Sequence, residues 1–447
     1  MKFKFLLATL ALFFIAAFLA VGNHYGFYTA PGGALLTVRW LASAALFGYG
    51  LARRNLTVWV MVAMVIGAEV GHDWPSFAVS LRVISLIFLR LIKVIIAPLL
   101  FATLVSGIAG HSDLKKMGRM GIKAIIFFEL VTTAAMFIGL AAINLSKAGV
   151  GVRLPAAAVT ETVVPARPSA TDMLLHVFPE NIAQAVAENQ MLQVVVFSIV
   201  FGIALALVSE AKRRPMLNFI ESLAETMFKF TNIVMLAAPL GVGAAIAYVV
   251  GHTGMGILVS LAQLLATLYV ALTVFLLGVL LPTAYFAGVP IRKFIRAIAE
   301  PLSIAFGTSS SEAALPSAME PMEALGVPRQ IVAFVMPTGY SFNLTGTSLY
   351  LSVAAIFVAQ VAGMHLSLGQ QLLLMVTLML TSKGVAAVSR TALVILLATA
   401  GSFGLPTEPI FILLGVDQLM DMARTSVNVI GNCLATVIIA RWEGEFE

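Results

Sequence analysis

Near the carboxyl end, Asp417, Asp421, Arg424, Thr425, Asn428 and Asn432 recur within an otherwise apolar run. Most steps are three or four residues, which on a helix gathers these side chains into one polar stripe. A charge at the centre of a bilayer costs at least about 2.5–3.5 kcal/mol. The stripe must therefore face protein, water or a ligand, and Arg424 requires an anion. One reading is a structural Asp421–Arg424 pair at i, i+3; the other is a binding site, because the carboxylates outnumber the arginine. A second polar run, Pro337-Thr338-Gly339-Tyr340-Ser341-Phe342-Asn343-Leu344-Thr345-Gly346-Thr347, interrupts another apolar stretch. Two glycines among hydroxyls and an amide predict local unwinding, which frees backbone carbonyls able to coordinate a small cation. A glycine-mediated helix contact with self-bonded hydroxyls is the alternative.

The composition dictates where these groups must work. Of 447 residues, 60% are hydrophobic and 11% charged, with a mean hydropathy of +1.01. Soluble domains carry about 25% charged residues, so a water-soluble enzyme is excluded and a polytopic membrane protein is expected. The net charge of +6 resides in short basic clusters between apolar runs, a topological signal rather than a nucleic-acid footprint. Cys433 is the only cysteine, which excludes an internal disulfide and a thiolate cluster. His24, His72, His111, His176, His252 and His365 never approach one another at metal-ligand spacing. Neither a cofactor nor a resident metal is expected.

A membrane helix needs about 20 apolar residues. Runs near 54–71, 75–108, 120–148, 190–210, 225–251, 257–288, 329–363 and 408–440 qualify. Two further apolar stretches are interrupted, one by Gly307-Thr308-Ser309-Ser310-Ser311-Glu312 and the other by Ser382-Lys383-Gly384 and Ser389-Arg390-Thr391. Polar backbone at membrane depth is tolerated only beside protein or a water-filled cavity, so both read as re-entrant hairpins. Paired broken segments point to a transporter binding site and to inverted repeats. Arg53-Arg54, Lys115-Lys116 with Arg119, Lys212-Arg213-Arg214 and Arg292-Lys293 with Arg296 fall in alternate loops. These loops and the carboxyl end should be cytoplasmic, and the Pro/Ala-rich loop 150–189 external. Residues 1–53 read either as a signal anchor or as an extra helical hairpin.

Gly307–Pro316 (GTSSSEAALP), Thr338–Tyr350 (TGYSFNLTGTSLY), Ser382–Ser389 (SKGVAAVS) and Gly415–Asn432 (GVDQLMDMARTSVNVIGN) resemble the signatures of the dicarboxylate/amino acid:cation symporters, the glutamate transporter family. The resemblance extends back through Leu91–Pro98 and covers about residues 54–444. It implies an all-α fold of eight transmembrane helices plus two re-entrant hairpins, an elevator-type transporter assembled as a homotrimer in the lipids of the inner membrane. Residues 54–119 and 190–254 would form the scaffold. Residues 120–149 and 255–447 would form the transport domain, with hairpins near 297–324 and 368–403, the latter an outer gate.

Carried over by motif, the resemblance implies that Arg424 binds the side-chain carboxylate of a small acidic substrate and that Asp421 accepts its ammonium group. Asn428 and Thr425 would bond its main-chain carboxylate. Thr347, Ser309, Ser310, Ser311 and Val388 would close the pocket. Family members selective for dicarboxylates lack an acid at the place of Asp421, so aspartate or glutamate is the expected substrate and a dicarboxylate the alternative.

The ion sites depart from the sodium-coupled pattern. Thr345 and Asn432 stand where those members carry aspartates, and Phe128 and Val131 replace a tyrosine and a threonine. A buried cation without a carboxylate is held by dipoles alone, which favours protons over sodium as coupling ion. A backbone site near Gly339, Ser341, Asn343 and Ser382 could still take sodium. Glu129, inside the third span, could carry a proton as a neutral acid or pair with Arg82 or Lys93. Arg390 occupies a hairpin position that is usually small, where it could be an extra anion ligand or neutralise Asp421. An intramembrane hydrolase would need a Ser/His, Ser/Lys or paired-Asp constellation, and Ser382 beside Lys383 cannot share one helical face.

Overall fold

The computed structural model describes residues 2–24, 32–53, 55–109, 114–152, 178–188, 191–382, 391–406 and 408–446. Val388 and Arg390 lie outside them, as do residues 153–177 of the long loop. Among the described residues the chain is helical throughout and contains no strand. In lipid an α-helix satisfies its own backbone groups, and an open strand edge would not. Among the described residues seven helical runs are long and apolar enough to cross a membrane, Gly33–Arg53 among them, and a bent pair makes an eighth, while the run expected near 190–210 is the shorter helix Met191–Leu207. The chain is an all-α polytopic membrane protein.

Its helices fall into two compact units, residues 1–90 with 233–259 and residues 91–232 with 260–447. In the first, Lys2–His24 packs on Gly32–Arg53, which packs on Leu56–Asp73, and that helix lies along Ala238–Thr253. Glycines bring this last pair together. A Cβ on Gly67 would collide with the carbonyl of Gly243, and one on Gly71 would fall 2.7 Å from that of Ala247. Between two apolar helices surrounded by lipid, such close packing is the main attraction available.

In the second unit, Thr345–Val361 is the central element, with every residue from Thr345 to Ala359 buried. Leu114–Ser146 lies along it, so closely that Gly139 leaves no room for a Cβ beside Ser352 and Leu349. The final helix, Asp417–Glu443, packs against Leu114–Ser146, Ile291–Thr308, Ser311–Ala324, Arg329–Phe342 and Thr345–Val361. Its far end is tied to Leu114–Ser146 by Arg119 and Lys123, whose nitrogens lie 2.5 and 2.7 Å from the Glu443 carboxylate. Both expected hairpins form as helix pairs in contact, Ile291–Thr308 with Ser311–Ala324 and Leu368–Ser382 with Thr391–Ser402.

Several spans are less regular than their composition predicts. The run expected near 225–251 is two helices, Glu210–Met235 and Ala238–Thr253. Pro239 stands in the first turn of the second helix, where its missing N–H does no harm. The run near 257–288 widens into a π-turn over Leu276–Leu280, just before Pro282. A proline has no N–H for the carbonyl four residues back, and the wider turn accommodates the loss. The run near 408–440 breaks at Gly415–Val416, so the last helix starts at Asp417.

Gly67→Ala should destabilise the purified protein by about 1–3 kcal/mol through overpacking, lowering its thermal midpoint. Gly33→Ala, at a position open on all sides, should leave that midpoint in place.

Candidate functional site

The break before the final helix puts Asp417 in its first turn, where the helix dipole favours a negative charge. Asp421 and Arg424 follow one and two turns later on the same face, and all three are almost completely buried. Arg424 Nε donates to Asp421 Oδ1 at 2.8 Å, and Nη1 to Asp417 Oδ1 at 3.3 Å. Thr425 Oγ1 donates to the same Asp421 oxygen at 3.2 Å. The guanidinium carbon stands 4.2 Å from the centre of the Tyr350 ring, and the Tyr350 hydroxyl donates to Asp417 Oδ1 at 3.1 Å. One cation is thus held by two carboxylates and an aromatic face at a depth where an uncompensated charge would cost several kcal/mol.

The second polar run breaks its helix as the residues predict. Arg329–Phe342 stops at Asn343, and the chain resumes helical geometry at Thr345. The break lies against the final helix, because a Cβ on Gly346 would collide with the Arg424 carbonyl. Asn428 satisfies the first amides of the resumed helix: its Oδ1 accepts from Gly346 N at 2.8 Å and Thr347 N at 3.2 Å. Its Nδ2 donates to Thr347 Oγ1 at 3.0 Å. The expected substrate ligands Asn428 and Thr347 are therefore bonded to each other, next to Arg424.

Hairpin one reaches the same helix. Thr308 ends its first arm, Ser309 adopts the left-handed conformation with φ 52°, and Ser310 caps the second arm through Ala313 N at 3.3 Å. Ser309 Oγ accepts from Gln418 Nε2 at 2.8 Å, with both side chains buried. Ser311 is buried and Ser310 half-buried at the tip.

A separate group of buried polar atoms lies around Gly339 and Gly431. A Cβ on Gly339 would meet Asn432 Oδ1; one on Gly431 would stand 3.0 Å from Thr345 Oγ1 and 3.7 Å from Asn343 Nδ2. Both side-chain polar atoms of Asn343 and of Asn432, with Thr345 Oγ1, Ser348 Oγ and Tyr340 Oη, have no hydrogen-bond partner among the described residues. Buried polar groups are nearly always satisfied, so this set suits a small polar guest. All its members are neutral. Among the described residues, no group of three or more His, Cys, Asp or Glu side chains could hold a metal ion.

The remaining expected residues lie elsewhere. Glu129 is half-buried on Leu114–Ser146, one residue beyond Phe128, whose ring approaches Gly339. Ser382 ends the first arm of hairpin two and turns its hydroxyl back to the Met379 carbonyl at 2.9 Å. Ser341 lies in the last turn before the break, and its side chain is outside the described residues. Sequence reasoning passed over Tyr350 and Gln418. Tyr350 closes the TGYSFNLTGTSLY motif, and Gln418 lies inside the polar stripe, but their partners are set by tertiary packing.

The two functions of Tyr350 can be separated. Tyr350→Phe keeps the ring over Arg424 and loses one hydrogen bond to Asp417, at about 1–3 kcal/mol. Tyr350→Leu should lower the thermal midpoint further, by the equivalent of about 2 kcal/mol for a desolvated cation–π contact. Equal midpoints for the two variants would mean that the ring contributes nothing.

Residues 56–442 match the sodium:dicarboxylate symporter family. The chain is 42% identical over 400 residues to C4-dicarboxylate transport protein 2 of Mesorhizobium japonicum, covering 88% of this chain and 90% of that protein. It is 42% identical over 402 residues to the proton/glutamate-aspartate symporter of Bacillus subtilis, covering 87% and 94%. The proton/sodium-glutamate symport protein of the same organism is 40% identical over 402 residues, covering 88% and 94%. With that match spanning its buried Arg424 site, its broken helix and both hairpins, the chain belongs to the sodium:dicarboxylate symporter family.

Proposed function

We propose that this protein is a secondary active symporter that imports an acidic amino acid, aspartate or glutamate, with cations. The observation that carries the reading is the buried carboxylate of Asp421, 2.8 Å from Arg424. A substrate with two carboxylates and one ammonium offers a partner to each. Its side-chain carboxylate takes the planar fork of Arg424, and its ammonium takes Asp421. The internal ion pair is thereby exchanged for two pairs with the substrate. Thr425, Asn428, Thr347 and the Ser309–Ser311 tip lie on the elements around this pair and can bind the main-chain carboxylate. Val388 and Arg390 belong to the hairpin that would close over it.

Protons are the preferred coupling ion in this reading. The unsatisfied group of Asn343, Thr345, Ser348 and Asn432 contains no carboxylate, so a cation there would be held by dipoles alone. An acidic amino acid enters with one net negative charge, against about 2.3 kcal/mol per 100 mV, and needs at least two positive charges for inward transport driven by the field. Glu129 is the proposed proton carrier. Glu129→Gln should flatten the pH dependence of uptake, and an unchanged profile would remove Glu129 from the mechanism.

The family resemblance supplies the rest: a homotrimer in the inner membrane with its carboxyl end cytoplasmic, and a transport domain of 120–149 and 255–447 moving against a scaffold of 54–119 and 190–254. A second reading, dicarboxylate symport, draws support from the relative in Mesorhizobium japonicum, which is as similar as the amino-acid symporters.

The deciding experiment is uptake of labelled L-aspartate into proteoliposomes under separately imposed proton and sodium gradients, with and without unlabelled succinate. Accumulation driven by protons alone and resistant to succinate is expected. Asp421→Ser should reduce aspartate uptake far more than succinate uptake. Equal loss of both would make Asp421 a structural partner of Arg424, and succinate prevailing in competition would establish the second reading.

A further inference from the structure

The matched family region begins at residue 56, yet the first helix of that region carries two acids and no lysine or arginine, its one basic residue being His72. Glu69 and Asp73 stand at i, i+4 on Leu56–Asp73, a helix otherwise apolar enough to cross a membrane. Like charges at that spacing repel. Their cation comes from ahead of the family region. Arg39, on Gly32–Arg53, donates from Nε to Glu69 Oε2 at 2.7 Å and from Nη2 to Asp73 Oδ1 at 2.6 Å. The three side chains are only 17%, 13% and 10% exposed. The neighbouring Trp40 donates from Nε1 to the other Asp73 oxygen at 2.8 Å, and its ring lies 5.2 Å from that of Trp74.

The contact continues along both helices in one antiparallel register. Phe47 meets Trp59 edge to face at 5.1 Å. Gly50 leaves space that a Cβ would fill to 3.2 Å from Val62. The one cation in Gly32–Arg53 before its terminal Arg53 faces the two acids, and Gly50 faces a bulky side chain. A helix resting nonspecifically on its neighbour would show neither match.

We infer that Gly32–Arg53 is a constitutive transmembrane element of this transporter, added ahead of the family fold. The acidic face of Leu56–Asp73 is its docking surface, and Arg39 is the group that makes the acids tolerable in the membrane. The dependence is mutual, since either side without the other leaves buried charge uncompensated.

The test is a charge-rescue series in the full chain. Arg39→Leu should reduce folded, detergent-extractable protein about tenfold or more. Glu69→Gln with Asp73→Asn, which leaves Arg39 without an anion, should fall likewise. The triple variant should recover to within about twofold of wild type, because neutral amides need no counter-ion. Undiminished protein from Arg39→Leu, or a triple variant as poor as Arg39→Leu, would overturn the inference. A second measurement does not depend on folding yield. Gly50→Cys with Val62→Cys, in the otherwise unchanged chain, should form a disulfide in the membrane under mild oxidation. Cleavage between the two positions would then release no fragment until reductant is added. Fragments that separate without reductant would mean that the helices are not docked.

Discussion

An arginine that is 1% exposed, inside a helix that crosses the membrane, constrains everything around it. Arg424 cannot be neutralised by losing its proton, because a guanidinium stays charged in proteins. Its surroundings must supply anions, and they do so from its own helix through Asp417 and Asp421. Those acids require the helix to begin at Asp417, so that the first turn adds its dipole. They also require Tyr350 to stand on the facing helix, with its hydroxyl toward Asp417 and its ring under the guanidinium. Tyr350 in turn belongs to a helix that starts in mid-membrane, and that start is tolerable because Asn428 bonds its first amides. The polar centre is a closed circuit in which each departure from regular structure satisfies another.

Much of this circuit is legible in the residues because a membrane punishes polar atoms severely. The stripe from Asp417 to Asn432, the break within Pro337–Thr347 and the two hydroxyl-rich hairpins all stand out against apolar surroundings, and each lies where its composition places it. Less legible are partners chosen by packing. Nothing in the spacing of Gln418 points to Ser309, 109 residues away, and nothing around Tyr350 reveals that its ring will meet a guanidinium. Helix bends fall between these cases. Pro239 and Pro282 are plain in the sequence, but a proline permits a bend, a π-turn or a straight start, and neighbours decide which.

The unsatisfied amides raise a different point about substitutions in this family region. By the family resemblance Thr345 and Asn432 stand where other members carry aspartates, and uncharged residues of about that size would leave the packing around Gly339 and Gly431 in place. The tight approach at Gly339 requires a small residue there whatever the guest is. A transporter lineage can in this way change what charge a cavity tolerates without rebuilding the helices that enclose it.

The two-residue interruption at Asn343 and Leu344 adjoins both the neutral group, to which Asn343 belongs, and the part of the final helix that carries Arg424. Ordering that short stretch carries a conformational entropy cost of about 1–2 kcal/mol for each residue fixed. A guest that binds to either side and holds the stretch still bears that cost, and a guest on the opposite side then does not. Two such occupancies would be linked with positive sign and equal magnitude in both directions. Were a guest to occupy each side, such linkage would disfavour a protein loaded on one side only.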